Sequence, residues 1–245
     1  MHIRWFITFL FLAASAAQAD PLVLNSGKPQ VTLLELYTSQ GCSSCPPAER
    51  WLNELTDSND LWTDIVPVAL HVDYWDYLGW EDPFAIPANS ERQRSYAQHN
   101  RARTVYTPGM FVNGREWRGW IYRFSPRASG QAPGILAASI ENSQLQASFP
   151  AKDTELELHV AVLGFDIATQ VKRGENRNRT LQQEFVTLAH AVHHSPNGHW
   201  SVPVPEATQS AGRYGIALWV SAAGNPVPLQ ATGGWLPQPA PIAGR

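Results

Sequence analysis

Between Val31 and Tyr37 the chain reads Val-Thr-Leu-Leu-Glu-Leu-Tyr, a nearly unbroken apolar run that predicts a strand covered on both faces. Ala48, Trp51, Leu52 and Leu55 then fall at i, i+3, i+4 and i+7, the spacing of one helix face, and Asp57-Ser58-Asn59-Asp60 ends that helix. Ile65 to Val72 is a second buried strand, so the order strand, helix, strand opens a parallel α/β unit. From Asp73 to Phe84 neither period holds, and five aromatics and four acids read as a loop or lid. Asn89-Ser90-Glu91 predicts the cap of a helix running to about Asn100. Met110 to Val112 and Arg115 to Trp120 flank Asn113-Gly114, a hairpin signal. Pro133, followed by Ile135, Leu136 and Ile140, predicts a closing helix to about Asn142.

The texture changes after the polar stretch from Ser143 to Asp153. Glu155 to Val160 alternates strictly, and Thr180 to Val192 and Tyr214 to Val220 are further strand-like runs separated by turns rich in Gly, Asn and Pro. These strands predict a small antiparallel β-sandwich. The expected organisation is a leader over 1–19, an α/β domain over 20–148, a β-rich domain over 149–236 and a disordered tail over 237–245.

The leader rests on Arg4, an apolar run from Trp5 to Ala14, and Ala17-Gln18-Ala19 before Asp20, the pattern of a cleaved signal peptide. The product is therefore expected in the periplasm or secreted, and not embedded in a membrane, since no later run reaches about 18 apolar residues. About 226 residues then remain, enough for one or two domains with proper cores. A net charge of −3 with both signs dispersed argues against nucleic acid or an anionic membrane surface as partner.

Charge excludes; the cysteines select. Cys42 and Cys45 are the only two in the chain, and two residues separate them. In an exported protein such a pair is a disulfide, and so short a ring removes little chain entropy, which favours a reactive pair over a staple. A helix start lowers a thiol pKa, so Cys42 is the expected nucleophile and Cys45, one turn in, the resolving thiol. Pro46-Pro47 leaves Cys45 outside the regular helix on this reading, because a proline disfavours helical geometry in the residue before it. Glu35, seven residues before Cys42, is a candidate general base, with Asp73 a second. Tyr74, Trp75 and Trp80 could line a groove for a substrate polypeptide or simply pack under their loop. Two rival readings stay open: the thiols, with imidazoles from His71 or from the cluster His190, His193, His194 and His199, could hold copper or zinc, or the disulfide could be structural in a binding module.

The segment Tyr37-Thr38-Ser39-Gln40-Gly41-Cys42-Ser43-Ser44-Cys45 resembles the active-site segment of glutaredoxins, and Thr107-Pro108 followed by a strand and Asn113-Gly114 resembles the cis-proline hairpin of thioredoxins. The whole chain is similar to a family of uncharacterised, exported bacterial proteins with a thioredoxin-like domain and a β-rich C-terminal extension. That resemblance implies a cis Pro108 against Cys42, and Thr107 offering backbone hydrogen bonds to an extended substrate. It further implies a thiol-disulfide oxidoreductase that needs no cofactor, with a disulfide-containing substrate and a redox-recycling protein as partners. The sulfurs are expected to face solvent beside the Pro108 turn.

Overall fold

The structure, a computed structural model, describes residues 20–151 and 154–237. The expected leader over 1–19 lies outside these residues, as does the expected tail except Pro237. Sixteen elements follow in order: β1 (Leu22–Asn25), β2 (Thr32–Thr38), α1 (Pro46–Asn53), β3 (Ile65–His71), α2 (Pro87–Gln98), β4 (Gly109–Val112), β5 (Arg115–Glu116), β6 (Ala137–Glu141), β7 (Gln144–Ser148), β8 (Leu156–Phe165), β9 (Ile167–Gln170), β10 (Thr180–Gln183), β11 (Val186–Ser195), β12 (His199–Pro203), β13 (Arg213–Ala222) and β14 (Pro228–Trp235).

The opening unit forms as its pattern predicts, with β2 and β3 paired in parallel from Thr32↔Ile65 to Thr38↔His71 and α1 between them. Asn113 and Gly114 both take positive φ, which is what a tight hairpin turn between β4 and β5 requires. A side chain at Gly114 would also meet Val227 at about 3.1 Å.

The fold class is not the expected one. The chain does not build an α/β thioredoxin-like domain followed by a separate β-sandwich: it is β-rich, with two α-helices among the described residues. One eight-stranded sheet runs β14-β13-β8-β11-β3-β2-β4-β5 and so crosses the expected boundary at 148, with β11 joined in parallel to β3 at Val186↔Ala69. A four-stranded sheet, β1-β6-β7-β12, crosses it too.

Burial explains the joining. Along β8, Leu156, Leu158 and Val160 belong to one apolar cluster, while Ala161, Leu163 and Phe165 belong to the other. On β13, Ile216, Leu218 and Val220 alternate in the same way with Ala217 and Trp219. Strands with two apolar faces need cover on both. The four-stranded sheet supplies one cover through Leu24, Ala138, Leu145 and Trp200. The predicted closing helix at 133–142 is therefore β6, whose residues pair with β1 on one side and β7 on the other. The second helix starts at Pro87, two residues before the expected cap, because proline suits the first helical turn. Among the described residues no helix is long and apolar enough to cross a membrane.

Candidate functional site

Cys42 and Cys45 are joined in a disulfide with their Cα atoms 5.5 Å apart. β2 ends at Thr38, and a tight turn follows in which the Cys42 N–H donates to the Ser39 carbonyl (3.1 Å). Gly41 fits closely here, since a Cβ would sit 3.1 Å from the Trp75 Cβ and Trp75 would have to give by a few tenths of an ångström. As expected, α1 starts at Pro46 and Cys45 stands outside it as the N-cap, though its backbone is helical (φ −77°, ψ −36°) in spite of the following proline. The two prolines occupy first-turn positions whose N–H groups have no helical partner anyway. The Cys45 carbonyl accepts from Ala48 and Glu49, and the Ser44 hydroxyl lies 3.4 Å from the Cys42 sulfur.

The sulfurs do not face solvent. Both cysteines are fully buried, and an element from far along the chain hydrogen-bonds to their loop. β9 and β10 form a two-stranded hairpin outside both large sheets. In the connection between them, the Asn176 amide donates to the carbonyls of Gln40 and Cys42 (2.9 Å each) and is itself held by Arg179. Glu175 accepts from the Ser43 N–H (3.0 Å) and hydroxyl (2.6 Å), and these bonds hold its carboxyl below the usual carboxylate range. Asn53 on α1 ties the base of the hairpin by donating to the Gln182 carbonyl and accepting from the Glu184 N–H.

A buried polar network lies under this cap. The Glu49 carboxyl accepts from the Thr38 hydroxyl (2.7 Å) and the Gln183 amide (3.1 Å), both neutral. Gln183 in turn accepts from Gln40, whose side-chain oxygen accepts from the Trp80 indole (3.1 Å). The Gln40 N–H donates to Asp82, which sits 2.7 Å from His71 Nδ1. Burial pushes the Glu49 carboxyl up, and His71 and the two hydrogen bonds only partly oppose this. His71 feels burial pulling its pKa down, but Asp82 and Glu49 outweigh it and raise it; Asp82 resists its own burial and is lowered by His71. His71 Nε2 is buried with no partner among the described residues.

Glu49 follows Cys45 by four residues, so the two share a face of α1 about 5–6 Å apart at Cβ. The spacing is legible in the sequence as Cys-x-x-x-Glu on an otherwise apolar helix face. Glu35 is not available to the cysteines. Side chains alternate along β2, so Thr38 points to α1 while Glu35 and Tyr37 point the other way. There Glu35 is fully buried against Arg92 of α2 (2.7 Å) and accepts from Tyr37 and Tyr96.

Trp75 connects the cysteine loop to the proline loop. Beside Gly41, its indole donates to the Thr107 hydroxyl (2.7 Å), and the Thr107–Pro108 bond is cis. Tyr74 donates to Gln93, which holds the Tyr106 carbonyl. Tyr74, Trp75 and Trp80, all half-buried, thus tie together the loops next to the cysteine segment. Asp73 accepts from Ser90. His190 stacks on His159 in the β-rich half, and His193, His194 and His199 lie on β11 and β12. Among the described residues no three His, Cys, Asp or Glu side chains gather as a metal site.

A family model described as a protein of unknown function, DUF1223, matches residues 33–221. No curated protein matches the chain. A crystallised structural-genomics protein of Agrobacterium tumefaciens is similar at 24% identity and TM-score 0.64, over 88% of this chain and 99% of that one. HBP35 of Porphyromonas gingivalis is similar at 14% identity and TM-score 0.55, over 90% and 79%. At these identities the likeness carries the fold alone.

Proposed function

The chain belongs to the DUF1223 family, whose description assigns no activity, and from its site we propose an exported thiol-disulfide oxidoreductase acting through Cys42 and Cys45. The observation that carries this reading is Glu49, a buried carboxyl one helical turn beyond Cys45 that only neutral groups hydrogen-bond. A buried carboxylate that no cation hydrogen-bonds, and whose burial His71 only partly offsets, costs stability, and proton transfer beside a thiol is a task that repays it.

In the reduced form, the Cys42 thiolate attacks a substrate disulfide, forming a mixed disulfide and expelling one substrate sulfur as thiolate. The Cys45 thiol then gives its proton to Glu49 and attacks the Cys42 sulfur. The Cys42–Cys45 bond forms and the second substrate sulfur leaves as thiolate. The substrate has gained two electrons, which a redox-recycling protein restores to the pair as a dithiol donor. Run backwards, the same steps oxidise a substrate dithiol. Because the sulfurs are covered, the β9–β10 connection must lift from Ser43 for either direction.

The test is disulfide exchange with a peptide disulfide. Cys42→Ser should abolish exchange while the protein stays folded, and Cys45→Ser should trap a mixed disulfide at Cys42. A wild-type pair that reacts with no thiol or disulfide while folded would sink the reading.

A further inference from the structure

The overall charge of −3 hides a strong local asymmetry. Residues 92 to 140 hold eight arginines, no lysine and one acid, Glu116. Arg92 is consumed by its buried pair with Glu35. Arg103, Arg115, Arg118, Arg123 and Arg127 are exposed and collect around β5, where the large sheet ends, and the 3-10 turn Gly119–Tyr122 after it. Arg118 pairs with Glu116 at 2.8 Å and Arg123 pairs with Glu54, both at the surface. Arg115 and Arg127 enter no ion pair among the described residues and line a groove of about 650 Å³ with Glu116, Trp117 and Phe124.

The tip of the same segment is apolar. Ile121, Tyr122 and Phe124 are 55%, 70% and 62% exposed, half of the large apolar side chains that stand exposed among the described residues. They project from a turn braced by Trp117, which packs on Trp51 of α1 with ring centroids 5.3 Å apart. Tyr122 and Phe124 stack on one another.

We propose that this tip docks the protein on an anionic phospholipid bilayer, with Ile121, Tyr122 and Phe124 entering the headgroup boundary and Arg115 and Arg127 meeting lipid phosphates. A projecting apolar tip ringed by cations matches a soft interface that is oily below and negative above. An acidic polypeptide would use the groove and the arginines but would leave the tip in water. The acidic remainder of the chain orients the cationic end toward the surface.

Sedimentation with vesicles of phosphatidylcholine, with and without phosphatidylglycerol, tests the proposal. Binding should require phosphatidylglycerol and weaken with salt. Arg115→Ala and Arg127→Ala should each weaken it about fivefold. The triple change Ile121→Ser, Tyr122→Ser, Phe124→Ser should abolish it with the thermal transition unchanged. All variants keep the apolar run at 5–14, so binding that survives the triple change belongs to that run and overturns the proposal. Equal binding to neutral vesicles overturns it too, as does a poly-glutamate peptide binding as tightly as the vesicles do.

Discussion

On the proposed mechanism, Glu49 trades stability for chemistry. In the unfolded chain its carboxyl ionises in the ordinary range; folding raises that value, first by desolvation. The folded state therefore holds the extra proton between the two values. The stability this brings is complete below the ordinary value and is lost as pH rises through the folded one. Above the ordinary value the folded chain therefore bears a cost that the unfolded chain does not. Glu49→Gln keeps an acceptor for Thr38 and Gln183 and removes that cost, so we expect its melting temperature at pH 7 to rise by about 2–4 °C for each ~1 kcal/mol recovered. The rate of disulfide exchange should fall roughly a hundredfold, the scale of a lost general base. A variant that melts lower and exchanges at the wild-type rate would make Glu49 a structural residue only.

On the proposed mechanism, the hairpin of β9 and β10 controls access to the sulfurs. It pairs only with itself, and its connection meets the cysteine loop through a few polar contacts, of which Glu175 to Ser43 is exposed. Elements held this way open at low free-energy cost. Asn176→Ala deletes both bonds to the Gln40 and Cys42 carbonyls, together worth about 1–2 kcal/mol. Reduction of the pair by a small thiol should quicken about tenfold, and the melting temperature should fall by about 2–8 °C. An unchanged rate, measured by thiol alkylation and mass shift, would mean that reductant reaches the sulfurs by another path.

At the scale of the molecule, both large sheets draw strands from either side of residue 148. Without β11, β3 would present an unpaired edge, and without β8 and β13 the apolar faces of β1, β6 and β7 would lose their cover. The chain should therefore unfold in one cooperative transition. A fragment spanning 20–148 should stay unfolded, as circular dichroism and its melting curve would report. A cooperative melt of that fragment would show the first segment to be self-sufficient.

What the sequence determined by itself was local: the parallel strand pair around a helix, the Asn113-Gly114 hairpin, the alternating strands after residue 154, and the close cysteine pair. Each depends on periodicity or turn chemistry within a few residues. Tertiary structure alone decided that the late strands extend the early sheet, that residues 137–141 are a strand, and that Asn176 and Gln183 close over a disulfide some 130 positions earlier. It also decided between two carboxyls, because strand parity turned Glu35 toward Arg92 while the helical repeat put Glu49 on the face of Cys45. Pairing between distant strands and burial under a distant loop leave no periodic trace in either partner, and so they could be read only from the folded chain.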